Sequence, residues 1–269
     1  MQDIRIAAVT CNATVGRIEE NLARTEHWTR QARAAGANLV CFPELNITGY
    51  GNLAEMASLA QVFPGPTTQR LSRLAAANNI IVLAGMAEKN PDGRPFASHG
   101  VFWPDGRAEC YRKLHLAPPE QKYYSAGDTI PIFKANGITF GLQLCYDGHF
   151  PGLATAMAAK GAEVLFIPHA SPRGDAASKH QSWLRHLPAR AFDNGLFVVA
   201  CNQWGENGKG LFFPGNAVVI GPSGTVLKKN VGGTGEEMLV TDLKARDLDA
   251  VRSHPMRYFF PNRRPDLYE

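Results

Sequence analysis

The chain has no apolar stretch near the ~18 residues that would suggest a membrane span; its longest apolar run, Ile80 to Ala87, reads as a buried strand. It lacks a block of positive charge longer than Lys228-Lys229 or Arg263-Arg264, and its net charge of +4 is spread over 269 residues. Nucleic-acid binders concentrate their charge on one face, so that class is not indicated. Cysteine is scarce: five residues (Cys11, Cys41, Cys110, Cys145 and Cys201), an odd number with no CxxC spacing. This argues against a disulfide framework or a zinc site and for reduced thiols in a cytoplasm. No low-complexity linker divides the chain, and the N-terminal residues enter an alternating strand at once, without a signal peptide's apolar core. With 45% hydrophobic and 19% charged residues, a substantial core is expected, in one domain over residues 1–269.

Short apolar runs alternate with helical stretches, the pattern of an α/β protein. Strands are expected at 4–11, 38–42, 80–84, 138–145, 163–167 and 196–201, and helices at 17–35, 67–77, 151–160 and 178–192. Strands at 100–103 and 108–113 flank the turn Pro104-Asp105-Gly106-Arg107, which is hairpin chemistry. The strands at 217–220, 226–229 and 237–241 read as a meander. A weak repeat aligns Ala35–Glu44 with Lys160–His169, with matching strands before and after each segment. Strand, helix, strand, helix, strand thus occurs twice. Two such halves can pack sheet on sheet with helices outside, as a four-layer α-β-β-α sandwich.

Three residues with chemistry fall just past strand ends, where open α/β sheets gather their ligands. Cys145 closes the strand Ile138–Leu144 ahead of a helix opened by Phe150-Pro151. A thiol there is presented to a cleft; a lone Cys on an apolar strand otherwise packs as a small hydrophobe. Glu44 follows Leu39–Pro43. Its carboxylate can accept a thiol proton if burial lifts its pKa, and by itself it reads equally as a capping glutamate. Lys113 ends the strand 108–112, where an ammonium can stabilise a thiolate or an oxyanion; alone it reads as one more surface lysine. Together they supply a nucleophile, a base and a cation.

The segments Phe42-Pro43-Glu44, Tyr111–Leu116 and Gly141–Asp147 resemble the three signatures of the carbon–nitrogen hydrolase (nitrilase) superfamily. The resemblance continues through Pro188–Asn194, Asn216 with Gly221–Gly224, and the tail Arg263–Tyr268, so it spans nearly the whole chain. It implies the four-layer sandwich, association as homodimers or larger assemblies, and no metal or organic cofactor. It also implies roles: Glu44 as general base, Lys113 as oxyanion partner, Cys145 as nucleophile, the backbone N–H of Tyr146 as second oxyanion donor, and Glu120 as the carboxylate orienting the lysine. Cys145-Tyr146-Asp147 is the amidase-like form of the third signature, where true nitrilases usually carry Cys-Trp-Glu. Gly148 and His149 stand where carbamoyl amino acid hydrolases tend to carry arginines. A small-molecule amide is therefore the expected substrate. A nitrile, a carbamoyl compound, acyl transfer from a thioester and a catalytically silent binding protein are the alternatives. Tyr50, His149, His169, Arg173 and Trp204 are candidates to line the substrate pocket, each of which also reads as a packed ring or a surface group.

Overall fold

A computed structural model describes residues 1–91 and 93–268. The first half runs β1 (Ile4–Thr10), α1 (Ile18–Ala34), β2 (Leu39–Cys41), α2 (Met56–Leu59), α3 (Pro66–Asn78), β3 (Ile81–Glu88), β4 (Phe96–Phe102) and β5 (Ala108–Arg112). The second runs β6 (Ile132–Ala135), β7 (Ile138–Leu142), α4 (Pro151–Ala159), β8 (Val164–His169), α5 (Ala176–Leu184), α6 (Leu187–Asn194) and β9 (Phe197–Asn202). It continues with β10 (Trp204–Glu206), β11 (Phe212–Pro214), β12 (Asn216–Ile220), β13 (Val226–Val231), β14 (Glu237–Leu243), α7 (Ala245–Arg252) and α8 (Pro265–Tyr268). One six-stranded sheet has the order β14-β1-β2-β3-β4-β5, the other β13-β12-β9-β8-β7-β6. In each, three parallel strands (β1-β2-β3 and β7-β8-β9) are extended on both sides by antiparallel ones. The repeat read from the sequence is therefore a repeat of topology.

Alternation along the strands builds the layers. Ile4, Ile6 and Ala8 of β1 join Leu39 and Cys41 in the core shared with the second sheet, where Phe140, Phe166 and Val199 lie. Ala7 and Val9 turn instead to Leu22 and Ala32 of α1 and Leu71 and Ala75 of α3. Strands buried on both faces are apolar throughout, which is why these runs barely alternate in the sequence. The sheets touch closely enough for the Cys201 thiol to lie 3.7 Å from the Cys41 carbonyl. On the outer face of the second sheet, a Cβ at Gly141 would fall 2.6 Å from the Met157 sulfur, so glycine lets α4 seat directly on β7. The result is the expected four-layer α-β-β-α sandwich.

Two expectations are corrected. The helix 178–192 is two helices, α5 and α6, broken at Arg185-His186; Pro188 falls in the first turn of α6, where a missing N–H is tolerated. The C-terminal strands do not form a meander: β12 and β13 pair with each other, but β14 crosses to the other sheet and pairs with β1 from Ile4–Leu243 to Thr10–Glu237.

Candidate active site

The strand carrying Cys145 ends early, at Leu142, for a local reason. Gln143 still donates its N–H to the Phe166 carbonyl, but the next N–H, on Leu144, turns to the Asp147 carboxylate at 2.9 Å. The chain then enters a 3₁₀ turn over Cys145–His149 with Cys145 at φ +45°. A β-carbon in that left-handed region is strained, and such strain persists only where surrounding bonds enforce it. Asp147 supplies them. Fully buried, it also accepts from the Tyr111 hydroxyl (2.8 Å), from the His115 backbone N–H (2.8 Å), and contacts His115 Nδ1 at 2.8 Å. The loop bearing the thiol is thereby tied to the loop bearing Lys113.

Glu44 lies past the end of β2 on a loop fastened by buried polar side chains. Asn46 accepts from the Gly85 N–H (2.8 Å), Thr48 from the Ala87 N–H (3.0 Å), and Asn207 donates to the Tyr50 carbonyl (2.8 Å). Gln203 donates to the Glu44 carbonyl at 3.0 Å. Lys113 follows β5, its N–H bonded to the Ala97 carbonyl and its carbonyl to the Gly127 N–H. These anchors hold three charged side chains in the interior: Glu44 and Lys113 are fully buried and Glu120 nearly so.

Lys113 Nζ stands 2.8 Å from Glu44 Oε1 and 2.8 Å from Glu120 Oε1. The second oxygen of Glu44 accepts from the Ala170 N–H (3.0 Å), at the end of β8. Glu120 accepts further from the Tyr50 hydroxyl (2.9 Å) and the Ala117 N–H (2.8 Å). An ammonium has three N–H groups; two are committed here. Burial pushes the Glu44 carboxyl up, Lys113 opposes that, the negative Glu120 reinforces it, and the balance lies at about 7. Burial would lower the Lys113 ammonium, but the flanking carboxylates overcome it and hold it well above its ordinary value. The Cys145 thiol is raised, first by burial and then by the charge of Glu44, with Lys113 and the Ala170 N–H pulling the other way. It is a thiol at rest, with a carboxylate beside it that is poised near neutrality.

Glu44, Lys113, Glu120, Cys145 and Tyr50 thus converge. Tyr50 is buried, bonded to Glu120 and edge-on to Phe213 at 6.2 Å. Tyr146 is half-buried in the 3₁₀ turn, its ring against Phe150 and His149. His149 is exposed, its ring tilted against that of His186 at 4.4 Å. His169 ends β8, bonded through Nδ1 to the Ile167 carbonyl and packed on Trp183 of α5 at 4.5 Å; burial holds it neutral. Trp204 donates to the Gly233 carbonyl and lies against Gly215, sharing no hydrogen bond with the triad. Arg173 is exposed on the loop after β8. Ala170, which acts through its backbone N–H, carries no residue-type signal in the sequence, and Gln203, whose side-chain amide holds the Glu44 carbonyl, reads there as one more polar residue after a strand. The sequence reading also passed over Lys179, a lysine on a short polar helix.

The family model described as carbon-nitrogen hydrolase matches residues 5–253. An (R)-stereoselective amidase from a Pseudomonas species is 33% identical over 234 residues, 86% of this chain and 82% of its own. The omega-amidase NIT2 of Mus musculus is 30% identical over 260 residues, covering 93% and 91%. Among solved structures, a variant of the amidase from Nesterenkonia sp. AN1 superimposes with a TM-score of 0.84 at 26% identity, covering 98% of this chain and 95% of that one. That structure carries the acetamide moiety of fluoroacetamide on its active-site cysteine. Fold, match and the strand-end arrangement of the three signatures agree, and this chain belongs to the carbon-nitrogen hydrolase family.

Proposed function

We propose that the protein hydrolyses a small amide to a carboxylic acid and ammonia through a thioester on Cys145. The observation that carries this reading is the buried contact of one ammonium with two carboxylates beside a strained, partly accessible cysteine. As the Cys145 sulfur attacks the amide carbonyl, Glu44 takes the thiol proton. The oxyanion is met by the uncommitted N–H of Lys113 and the backbone N–H of Tyr146. Protonated Glu44 passes the proton to the departing nitrogen, the C–N bond breaks, ammonia leaves and the acyl group remains on sulfur. The same carboxylate then activates water, which releases the acid and restores the thiol. Glu120, bonded to Lys113, Tyr50 and Ala117, acts as counter-ion and brace rather than as proton carrier.

The amidases among the relatives support an amide over a nitrile, as does Tyr146-Asp147 after the nucleophile. Intact-protein mass after brief exposure to small amides, with ammonia followed in parallel, tests the scheme. An acyl adduct that decays as ammonia accumulates, and is lost in Cys145→Ala, is expected. Turnover retained by Cys145→Ala would sink it.

The same reading includes self-association as a homodimer or larger assembly and a cytoplasmic location. The first is supported by exposed apolar side chains, among them Met256 and the pair Phe192 of α6 and Phe259, whose tilted rings lie 5.4 Å apart; sedimentation tests it. The second is supported by five free cysteines, and among the described residues no helix is long and apolar enough to cross a membrane.

A further inference from the structure

Lys179 is the side chain near the site that the scheme above does not use. It lies on α5 and is nine-tenths buried. Its ammonium donates to the Ser171 hydroxyl at 2.5 Å, and among the described residues no carboxylate lies within ion-pair distance of it. Ser171 is firmly placed: Asn202 accepts from its N–H (2.8 Å) and donates to its carbonyl (3.1 Å). It directly follows Ala170, whose N–H holds Glu44 and faces the Cys145 thiol. Consecutive residues are about 3.8 Å apart, so Ser171 sets the Lys179 ammonium at the edge of the reacting centre. Arg173, exposed on the same loop, adds a second positive charge that likewise has no acid partner among the described residues. The one acid of this segment, Asp175, is turned to the Ser178 N–H at 2.7 Å, capping α5.

A buried ammonium that keeps only a neutral hydroxyl partner has lost hydration without gaining a counter-charge, which is costly. A ligand anion would supply that charge. We infer that Lys179 is a carboxylate-binding residue of this site, and that the preferred amides carry a carboxylate a few bonds from the scissile carbonyl. This inference rests on the amide-hydrolase reading and names its substrate class. Neither a nitrogen leaving group nor the thioester needs a second cation on this side. Lys113 already serves the oxyanion, so the work left for Lys179 is recognition.

The test compares ammonia release from succinamate and glutaramate with release from their uncharged counterparts, butyramide and pentanamide. Wild type, Lys179→Met and Lys179→Arg are measured as full-length proteins. Wild type should prefer the anionic amides. Lys179→Met should lower their kcat/KM by about 10- to 100-fold, the worth of one charge-assisted hydrogen bond. The loss should fall chiefly on KM, with the uncharged pair unmoved and Lys179→Arg restoring part of the preference. Equal losses on both pairs would reduce Lys179 to a packing residue and overturn the inference. Calorimetric binding of glutaramate and pentanamide to Cys145→Ala, with and without Lys179→Met, gives a reading free of turnover. Lys179-dependent binding of glutaramate without hydrolysis by wild type would overturn the hydrolase scheme and leave this inference standing. Hydrolysis indifferent to the carboxylate and to Lys179 would do the reverse.

Discussion

Glu44 and Lys113 meet at 2.8 Å with both side chains fully excluded from solvent, and Glu120 faces the same ammonium from its other side. Removing the ammonium would leave two carboxylates facing each other in a buried space. Breaking a buried ion pair from one side typically costs about 3–5 kcal/mol. Lys113→Met should therefore lose about that much stability at pH 8, and less at pH 5, where the carboxylates can escape by taking up protons. Urea midpoints at the two pH values measure the difference; equal losses would mean that the ammonium is not their counter-charge.

The balance at Glu44 also sets a rate profile. A base with a pKa of about 7 is half ionised near neutrality, so kcat/KM should rise through about pH 7 and level off above it. Glu120 is one of the groups pushing Glu44 up. Glu120→Gln should accordingly move the acid limb to lower pH while reducing the plateau, because the brace on Lys113 is weakened. A limb that stays in place, or moves up, would assign it to a different group.

The same shift has a cost in stability. The Glu44 carboxyl is raised from an ordinary unfolded value of about 4.3 to about 7 in the fold. The folded state therefore binds the proton more tightly. The contribution is fully present below about pH 4 and lost as pH rises through 7. Across that window it amounts to about 3–4 kcal/mol. Glu44→Gln, a permanently neutral isostere, should be inactive, should flatten this part of the stability profile, and should be more stable than wild type at pH 8. Chemical unfolding between pH 5 and 8 decides; parallel profiles for the two proteins would contradict it.

What could be read from the chain, and what could not, follows from the range of the forces. Glu44, Lys113 and Cys145 were legible because each follows a strand end, a local signal, and because the segments around them together resemble the three signatures of one family. The topological repeat was legible because both halves spell the same alternation. The crossing of β14 to pair with β1 was not, since the partners Ile4 and Leu243 are far apart in sequence and the pairing is decided by packing. The break between α5 and α6 did leave a signal, Pro188, which the helical pattern around it masked. Lys179 was invisible for a different reason. Its neighbours on α5 are polar, so the pattern reads as a solvated face, and only the tertiary position of Ser171 reveals that its ammonium is buried.

Gly85 ties the fold to the base. It lies in β3 opposite His99, donating to the Asn46 side chain (2.8 Å) and accepting from the Ile47 N–H (2.9 Å), so the Glu44 loop rests on it from both sides. A Cβ placed there would fall 2.5 Å from the Leu45 backbone nitrogen and 2.7 Å from His99 Nδ1. The ring has little room to yield, because His99 is itself fully buried. Leu45 is already in the left-handed region at φ +55°, so its backbone has little freedom to turn aside. The loop would have to lift, carrying Glu44 away from Lys113 and the Ala170 N–H. Gly85→Ala should cost about 1–3 kcal/mol through overpacking, but should lower kcat/KM by about 100-fold, since sub-ångström placement of the base governs proton transfer. Gly235→Ala, where a Cβ meets nothing within 4 Å, is the matched control and should change neither quantity. If Gly85→Ala lost stability while keeping wild-type kcat/KM, the loop would be free to yield without moving the carboxylate, and the rigid seating of Glu44 on β3 would have to be abandoned.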